Sequence, residues 1–147
     1  MKFIKNGLEF KQFDNSYEDI SFIEDLYADK DVKKYMPFIK KNTKMSSSMY
    51  NTPFIVKDID NDNLIGYVYF HEPGLEEVEI MYATHYDYRK EGYGRRLLSG
   101  ASEFVLEKEK SIKNVALIIN PTNEASIKTA LKSNFERIGN IRYERKR

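Results

Sequence analysis

Apolar and polar residues alternate over positions 8–13, with Leu8, Phe10 and Gln12 on one face and Glu9, Lys11 and Phe13 on the other, and this period of two predicts a first strand. Asp14-Asn15-Ser16 then offers helix caps, and Ser16 followed by Asp19 resembles a capping box. Ile20, Ile23, Leu26 and Tyr27 form a helical stripe; Val32, Tyr35 and Met36 predict a second, short helix that Pro37 stops. Residues 52–59 read as a strand, Asp60-Asn61-Asp62-Asn63 as a turn, and 64–71 as a third strand with Gly66 inside it. After Glu72-Pro73-Gly74 a fourth strand, 78–83, sets Val78, Ile80 and Tyr82 against Glu79, Met81 and Ala83. The short turns predict an antiparallel meander.

A helix from 92 to about 110 carries Leu97, Leu98, Ala101, Phe104 and Val105 at helical spacing. The apolar run 115–119 reads as a fifth strand buried on both faces, and the helical crossover makes it parallel to the fourth. Thr122 or Asn123 caps a last helix bearing Ala125, Ile127, Ala130 and Leu131, which Asn134 closes. Residues 135–143 form a final strand, bent or paired through Gly139-Asn140, ahead of a basic tail. Residues 37–51 have no clear period. As the longest candidate loop, with Lys40, Lys41 and Lys44, this segment reads as a solvated loop, and its position also makes it the best candidate for touching an acceptor substrate.

Composition narrows the chemistry. The 147 residues, 41% hydrophobic and without repeat or linker, fit one domain, 1–147. A net charge of +1 gives no field suited to nucleic acid or anionic membrane, so the ligand belongs in a site. The absence of cysteine excludes disulfides, thiolate metal sites and a cysteine nucleophile. Two histidines cannot make a three-histidine metal site, and no signal peptide or membrane span is evident, so a cytoplasmic protein without a metal is expected.

Between the fourth strand and the following helix stands Arg89-Lys90-Glu91-Gly92-Tyr93-Gly94. Glycines at a helix start let the backbone approach a ligand and aim unpaired N–H groups at it, where the helix dipole favours an anion. The loop lacks the lysine of a nucleoside-triphosphate P-loop, and Leu97 stands where a dinucleotide G-x-G-x-x-G needs its last glycine.

Arg89, Gly92 and Gly94 match the R/Q-x-x-G-x-G/A signature of the GNAT superfamily, the acetyl-CoA-dependent N-acetyltransferases. Asn123, Ser126, Lys132, Asn134 and Phe135 occupy the places of a second signature, N-x-x-S/A with K-x-G-F, Asn134 standing for its glycine. The order of elements resembles the same fold throughout. It implies an α/β (α+β) architecture: a mixed, mostly antiparallel central sheet, a parallel pair of fourth and fifth strands at the cofactor site, and helices on both faces. The 123–143 region looks most like the branch that acetylates N-termini of ribosomal proteins.

The resemblance implies acetyl-CoA as cofactor, with Lys90, Glu91, Gly92, Tyr93, Gly94 and Arg95 holding its pyrophosphate by backbone amides and Arg89 adding charge. Backbone groups of Tyr82, Ala83 and Thr84 would pair with the pantetheine arm, and Asn123 and Ser126 would contact its far side. Glu79 matches the family's catalytic glutamate, with Glu77 on the same face as fallback. Ala130 stands where many members place a tyrosine acid; Tyr82, Tyr86, Tyr88 and Tyr93 are near in sequence but read as packing. His85 reads as a surface residue, and Arg142, Arg145, Lys146 and Arg147 as a solvated tail. The expected partners are acetyl-CoA and an amine, small or a protein N-terminus, without nucleic acid or membrane, for a monomer or homodimer. The competing reading is a catalytically weak acyl-CoA-binding or regulatory module.

Overall fold

The computed structural model describes residues 1–36 and 48–147. The expected loop at 37–51, with Lys40, Lys41 and Lys44, lies largely outside the described residues. Among the described residues eight strands are formed: β1 (Lys2–Lys5), β2 (Leu8–Gln12), β3 (Pro53–Asp58), β4 (Leu64–Phe70), β5 (Glu77–Thr84), β6 (Asn114–Ile118), β7 (Glu136–Arg137) and β8 (Arg142–Lys146). The same residues form four α-helices: α1 (Tyr17–Ala28), α2 (Lys30–Tyr35), α3 (Tyr93–Lys108) and α4 (Glu124–Lys132). The strands make one sheet in the order β1-β2-β3-β4-β5-β6-β8-β7, antiparallel throughout except for β5 and β6.

The parallel pair is therefore β5/β6, not the fourth and fifth strands, because a strand the pattern did not predict precedes the rest. Asn6 and Gly7 turn β1 back on β2 with φ of 55° and 73°. Two left-handed residues make the turn that suits a two-residue hairpin, and Asn-Gly is its common sequence. The basic tail is corrected as well. Residues 142–146 pair with β6 along its whole length, and β7 folds back on β8, so the last segment is a hairpin. Tyr143 is buried there, while Arg145 reaches Ser102 Oγ (2.7 Å) and Arg147 donates to the carbonyl of Ile112 (2.7 Å). Long arginines cover apolar surface with their stems while their heads find acceptors, so a charged run can still be a strand.

The helices lie on both faces. On one, Phe22, Ile23 and Leu26 of α1 and Val32 of α2 close over Ile55, Tyr67 and Ala83. On the other, Leu97, Leu98, Ala101 and Val105 of α3 pack on Phe10, Val56, Val68, Val78, Ile80 and Val115, with Ala130 of α4 in the same core. Ser16 caps α1 by accepting from Asp19 N, and Asn134, at φ 68°, ends the α4 region, both as the sequence predicted.

Two contacts fix α3 against the sheet. Ile65 is an extra residue between the pairs Val56↔Gly66 and Lys57↔Leu64, and at Gly66 a Cβ would stand 2.7 Å from Leu97 Cδ1 and 2.8 Å from the Ala83 carbonyl oxygen. Glycine lets α3 seat directly on the bulge. At the end of β3, Asp58 accepts a hydrogen bond from the Tyr93 hydroxyl and another from Asp60 N (2.9 Å), with Arg96 at 3.9 Å. The Tyr93 hydroxyl above all holds the Asp58 carboxyl below the usual carboxylate range.

Gly66→Ala is expected to cost about 1–3 kcal/mol through overpacking, a fall in Tm of roughly 3–10 °C in thermal unfolding. Gly74→Ala, where a Cβ meets nothing within 4 Å, serves as the near-neutral control. Because the Asp58 carboxyl binds its proton less readily folded than unfolded, its contribution is complete above the ordinary value of about 3.9 and is lost as pH falls below it. The Tm gap between the parent and Asp58→Asn should accordingly narrow as the pH is lowered from 6 to ~3; a gap constant with pH would refute this.

Candidate active site

Glu77↔Asn114, Val78↔Val115 and Glu79↔Ala116 pair β5 with β6, and there the parallel ladder stops. β5 continues to Thr84 paired only with β4, from Phe70↔Ile80 to Gly66↔Thr84, while β6 continues against β8. The strands thus part into a wedge whose β5 wall is an extended backbone edge. Such an edge presents N–H and C=O groups that call for a partner. Tyr82, Ala83 and Thr84 form that wall. The Ala83 side chain is buried toward α1, and the Thr84 carbonyl accepts from Arg89 Nε (3.3 Å). Tyr82 points to the opposite side, where its hydroxyl meets Ser126 Oγ at 2.8 Å. Burial raises the Tyr82 phenol above its ordinary value, so it stays protonated.

The glycine loop closes the mouth of the wedge. Lys90 and Gly92 are both left-handed, at φ 67° and 82°. Gly92 is the N-cap of α3 and has no side chain to cap with; the first turn contains no acidic residue. The first intrahelical bond runs from Arg96 N to Gly92 O (3.2 Å), so the Tyr93, Gly94 and Arg95 amides have no partner inside the helix. The other helices differ: Ser16, Asp29 and Asn123 cap α1, α2 and α4, each with an acidic residue in its first turn. Among the described residues, α3 alone has an N-terminus left both uncapped and uncompensated.

Around it, Lys90, Glu91 and Arg95 are exposed, while Tyr93 is anchored to Asp58. At Gly94 a Cβ would lie 3.4 Å from Thr84 Oγ1 and 3.5 Å from Thr129 Cγ2, so larger side chains would press on β5 and α4. Arg89 is engaged elsewhere: its guanidinium meets Asp29 (2.5 Å) and Asp31 (3.6 Å), tying the loop to the α1–α2 corner. Asn123 caps α4 by accepting from Ser126 N (3.3 Å), which sets Ser126 opposite Tyr82. Tyr35 of α2 reaches Thr122 (3.0 Å), a second link across the mouth.

On the α1 side of the sheet, register places Glu77 and Glu79 beside Asn114 and Ala116, and Ala116 and Ile118 beside Glu144 and Arg142. Glu77 accepts from Asn114 (2.7 Å) and from Arg142, whose Nε also donates to Glu144 (2.6 Å). Glu79 stands at the point of divergence with its side chain 38% exposed and its Oε2 4.0 Å from His71 Nε2. Sequence reasoning did not single out His71. It enters because β4 and β5 continue one step past Phe70↔Ile80, with His71 N donating to Glu79 O (2.9 Å), a register that the turn between the strands sets.

His85 is corrected: it is 4% exposed, not a surface residue. Its Nδ1 accepts from Asp87 N (3.2 Å), its Nε2 faces Asp25 Oδ2 (2.5 Å), and Phe22 and Tyr86 stack on its ring. The chain end of a strand can be covered by a helix distant in sequence, here α1, and the local pattern carries no sign of it. Tyr86 donates to Asp25 (3.2 Å) and Tyr88 packs edge-on against Tyr93, in keeping with their reading as packing residues. Ala130 is fully buried. Among the described residues, no group of three or more His, Asp or Glu could hold a metal ion, and no helix is long and apolar enough to cross a membrane.

No curated protein sequence matches the chain significantly. Among solved structures, a GNAT-family acetyltransferase from Bacillus anthracis superposes with a TM-score of 0.80 at 20% identity, covering 98% of this chain and 96% of that one. A ribosomal-protein-S5-alanine acetyltransferase from Vibrio fischeri gives 0.73 at 13% identity, with 99% and 96% covered. An aminoglycoside acetyltransferase in complex with coenzyme A and kanamycin gives 0.74 at 14% identity, with 94% and 95% covered. The profile of the acetyltransferase (GNAT) domain matches residues 8–136, which takes in the wedge, the glycine loop and α4, and the chain belongs to the GNAT acetyltransferase family.

Proposed function

We propose that this protein transfers an acetyl group from acetyl-CoA to the primary amine of a small molecule or a protein N-terminus, by direct transfer in a ternary complex. The observation that carries the reading is the N-terminus of α3, uncapped and without a compensating acid, set at the mouth of a wedge between parting strands. A helix end of that kind suits a pyrophosphate, and an open strand edge suits the amides of a pantetheine arm. The residues that would hold the cofactor are the amides from Lys90 to Arg95, the backbone of Tyr82, Ala83 and Thr84, and Asn123 and Ser126 across the wedge. Arg89 contributes by holding the loop to Asp29 and Asp31.

Acetyl-CoA supplies the acetyl group as a thioester, so that one amine proton must leave before attack and a second ends on the released thiol. Glu79, half-exposed where the strands diverge, is the carboxylate that draws the acceptor ammonium and its proton, directly or through an intervening group. Glu77 is committed to Asn114 and Arg142 and plays the lesser part. No tyrosine stands at Ala130 to protonate the leaving group, which favours the amine's own second proton for that purpose. The same absence supports an acyl-CoA-binding module as the alternative; such a module binds the cofactor without turnover on any amine. We further propose one domain, acting in the cytoplasm as monomer or homodimer.

Acetyl-CoA at a hundred times its dissociation constant should stabilise the protein by about 2.7 kcal/mol, on the order of 5–10 °C in Tm, with ATP and NAD as inactive controls. Gly94→Val should weaken acetyl-CoA binding by calorimetry well before it unfolds the protein, since the added methyls press on Thr84 and Thr129. Parent-like affinity would mean that the pyrophosphate lies elsewhere. Glu79→Gln should lower kcat by roughly 10²- to 10⁴-fold while leaving acetyl-CoA affinity unchanged; an unaltered kcat would remove Glu79 from the chemistry.

A further inference from the structure

His71 and Glu79 are cross-strand neighbours on the open α1-side face of the sheet, at the point where β5 and β6 part. His71 is 36% exposed, with Nε2 at 2.7 Å from Met81 Sδ and 4.0 Å from Glu79 Oε2, and the Tyr69 ring lies edge-on to it at 5.0 Å. A thioether sulfur has no proton to give, so the contact with Met81 requires the ring proton on Nε2. The lone pair then sits on Nδ1, for which no hydrogen bond is formed among the described residues. Carboxylate near one ring nitrogen and a free lone pair on the other is the arrangement of an oriented base.

We propose that His71 is the group through which Glu79 acts: Nδ1 takes the proton of the acceptor ammonium, and Glu79 stabilises the resulting imidazolium. This rests on the transferase reading above and adds to it a residue that neither the sequence motifs nor the family match assigns. The proton count closes within the site. The ammonium N–H bond breaks, an N–H bond forms at Nδ1, and the amine keeps the electron pair with which it attacks; the exposed ring then returns the proton to water. A carboxylate alone is a poor match to an ammonium at neutral pH, whereas an imidazole exchanges protons in that range. Charged groups near the pair include Glu72, next in sequence to His71, and Glu77 and Glu144, which Arg142 holds, while Lys146 follows Glu144 on the same face of β8.

The test has two arms. In the first, the ring resonances of His71 are compared by NMR at one pH in the parent, in Glu79→Gln and in Glu77→Gln, without cofactor or acceptor. Losing the Glu79 carboxylate should displace the His71 ring resonances more than losing that of Glu77 does; an equal or smaller displacement refutes the partnership. The second arm measures acetyl-CoA turnover with kanamycin, spermidine and an alanine-initiated peptide as probes. With any probe the parent acetylates, His71→Gln should lower kcat near pH 7 by roughly 10²-fold and recover as pH rises and the amine deprotonates unaided. KM for acetyl-CoA should not change. The double variant with Glu79→Gln should be little worse than either single one, because the two act as a unit. Parent-like kcat and pH profile in His71→Gln would overturn this inference alone. Failure of the parent to acetylate any probe, with acetyl-CoA bound, would overturn the transferase reading together with it.

Discussion

The arrangement depends on where parallel pairing ends. β5 and β6 share three register pairs and then separate after Glu79↔Ala116, although β5 runs five residues further. They part because each is held more extensively by its other neighbour: β5 by β4 as far as Thr84, and β6 by β8 as far as Ile118↔Arg142. Antiparallel ladders on both flanks hold the two halves of the sheet, and the wedge between them is the consequence. The hairpin at the end of the chain is therefore part of the site, since without β8 nothing would draw β6 away.

What fills the mouth of the wedge follows from how the helix beside it begins. α1, α2 and α4 start on side-chain caps with an acid in the first turn, which neutralises their dipoles locally. α3 starts on a left-handed glycine with neither. Positive potential at that point comes from backbone amides together with the exposed Lys90 and Arg95, while Arg89 is paired with Asp29 and Asp31 and Arg96 in part with Asp58. The guanidinium of Arg89 fixes the loop's position, and the Tyr93–Asp58 hydrogen bond fixes the helix behind it. A loop pinned at both ends presents its amides with little freedom left to lose on binding.

On the other side of the wedge the chemistry is set by cross-strand neighbours. Glu77, Glu79 and Glu144 share one face, yet Arg142 takes two of them, and only Glu79 is left beside an imidazole. Identical side chains on one sheet face thus have different partners, decided by which strand lies next to each.

Much of this was legible in the chain itself. The glycine loop, the strand before it, the helix after it, the Ser16 and Asn123 caps and the left-handed Asn134 all rest on local physics: side-chain spacing, capping chemistry and φ tolerance act over a few residues and can be read in order. Asn6-Gly7 also carried a hairpin signal, sufficient to have placed β1. What the chain could not disclose were relations between distant residues. That His85 is buried under α1, that Arg89 is bound to Asp29 and Asp31, that the tail arginines edge a strand, and that His71 stands beside Glu79 are facts of register and packing. They depend on which strands become neighbours and on how many residues separate them in the turn, and such pairings are decided by the summed burial of the whole sheet, not by any segment alone.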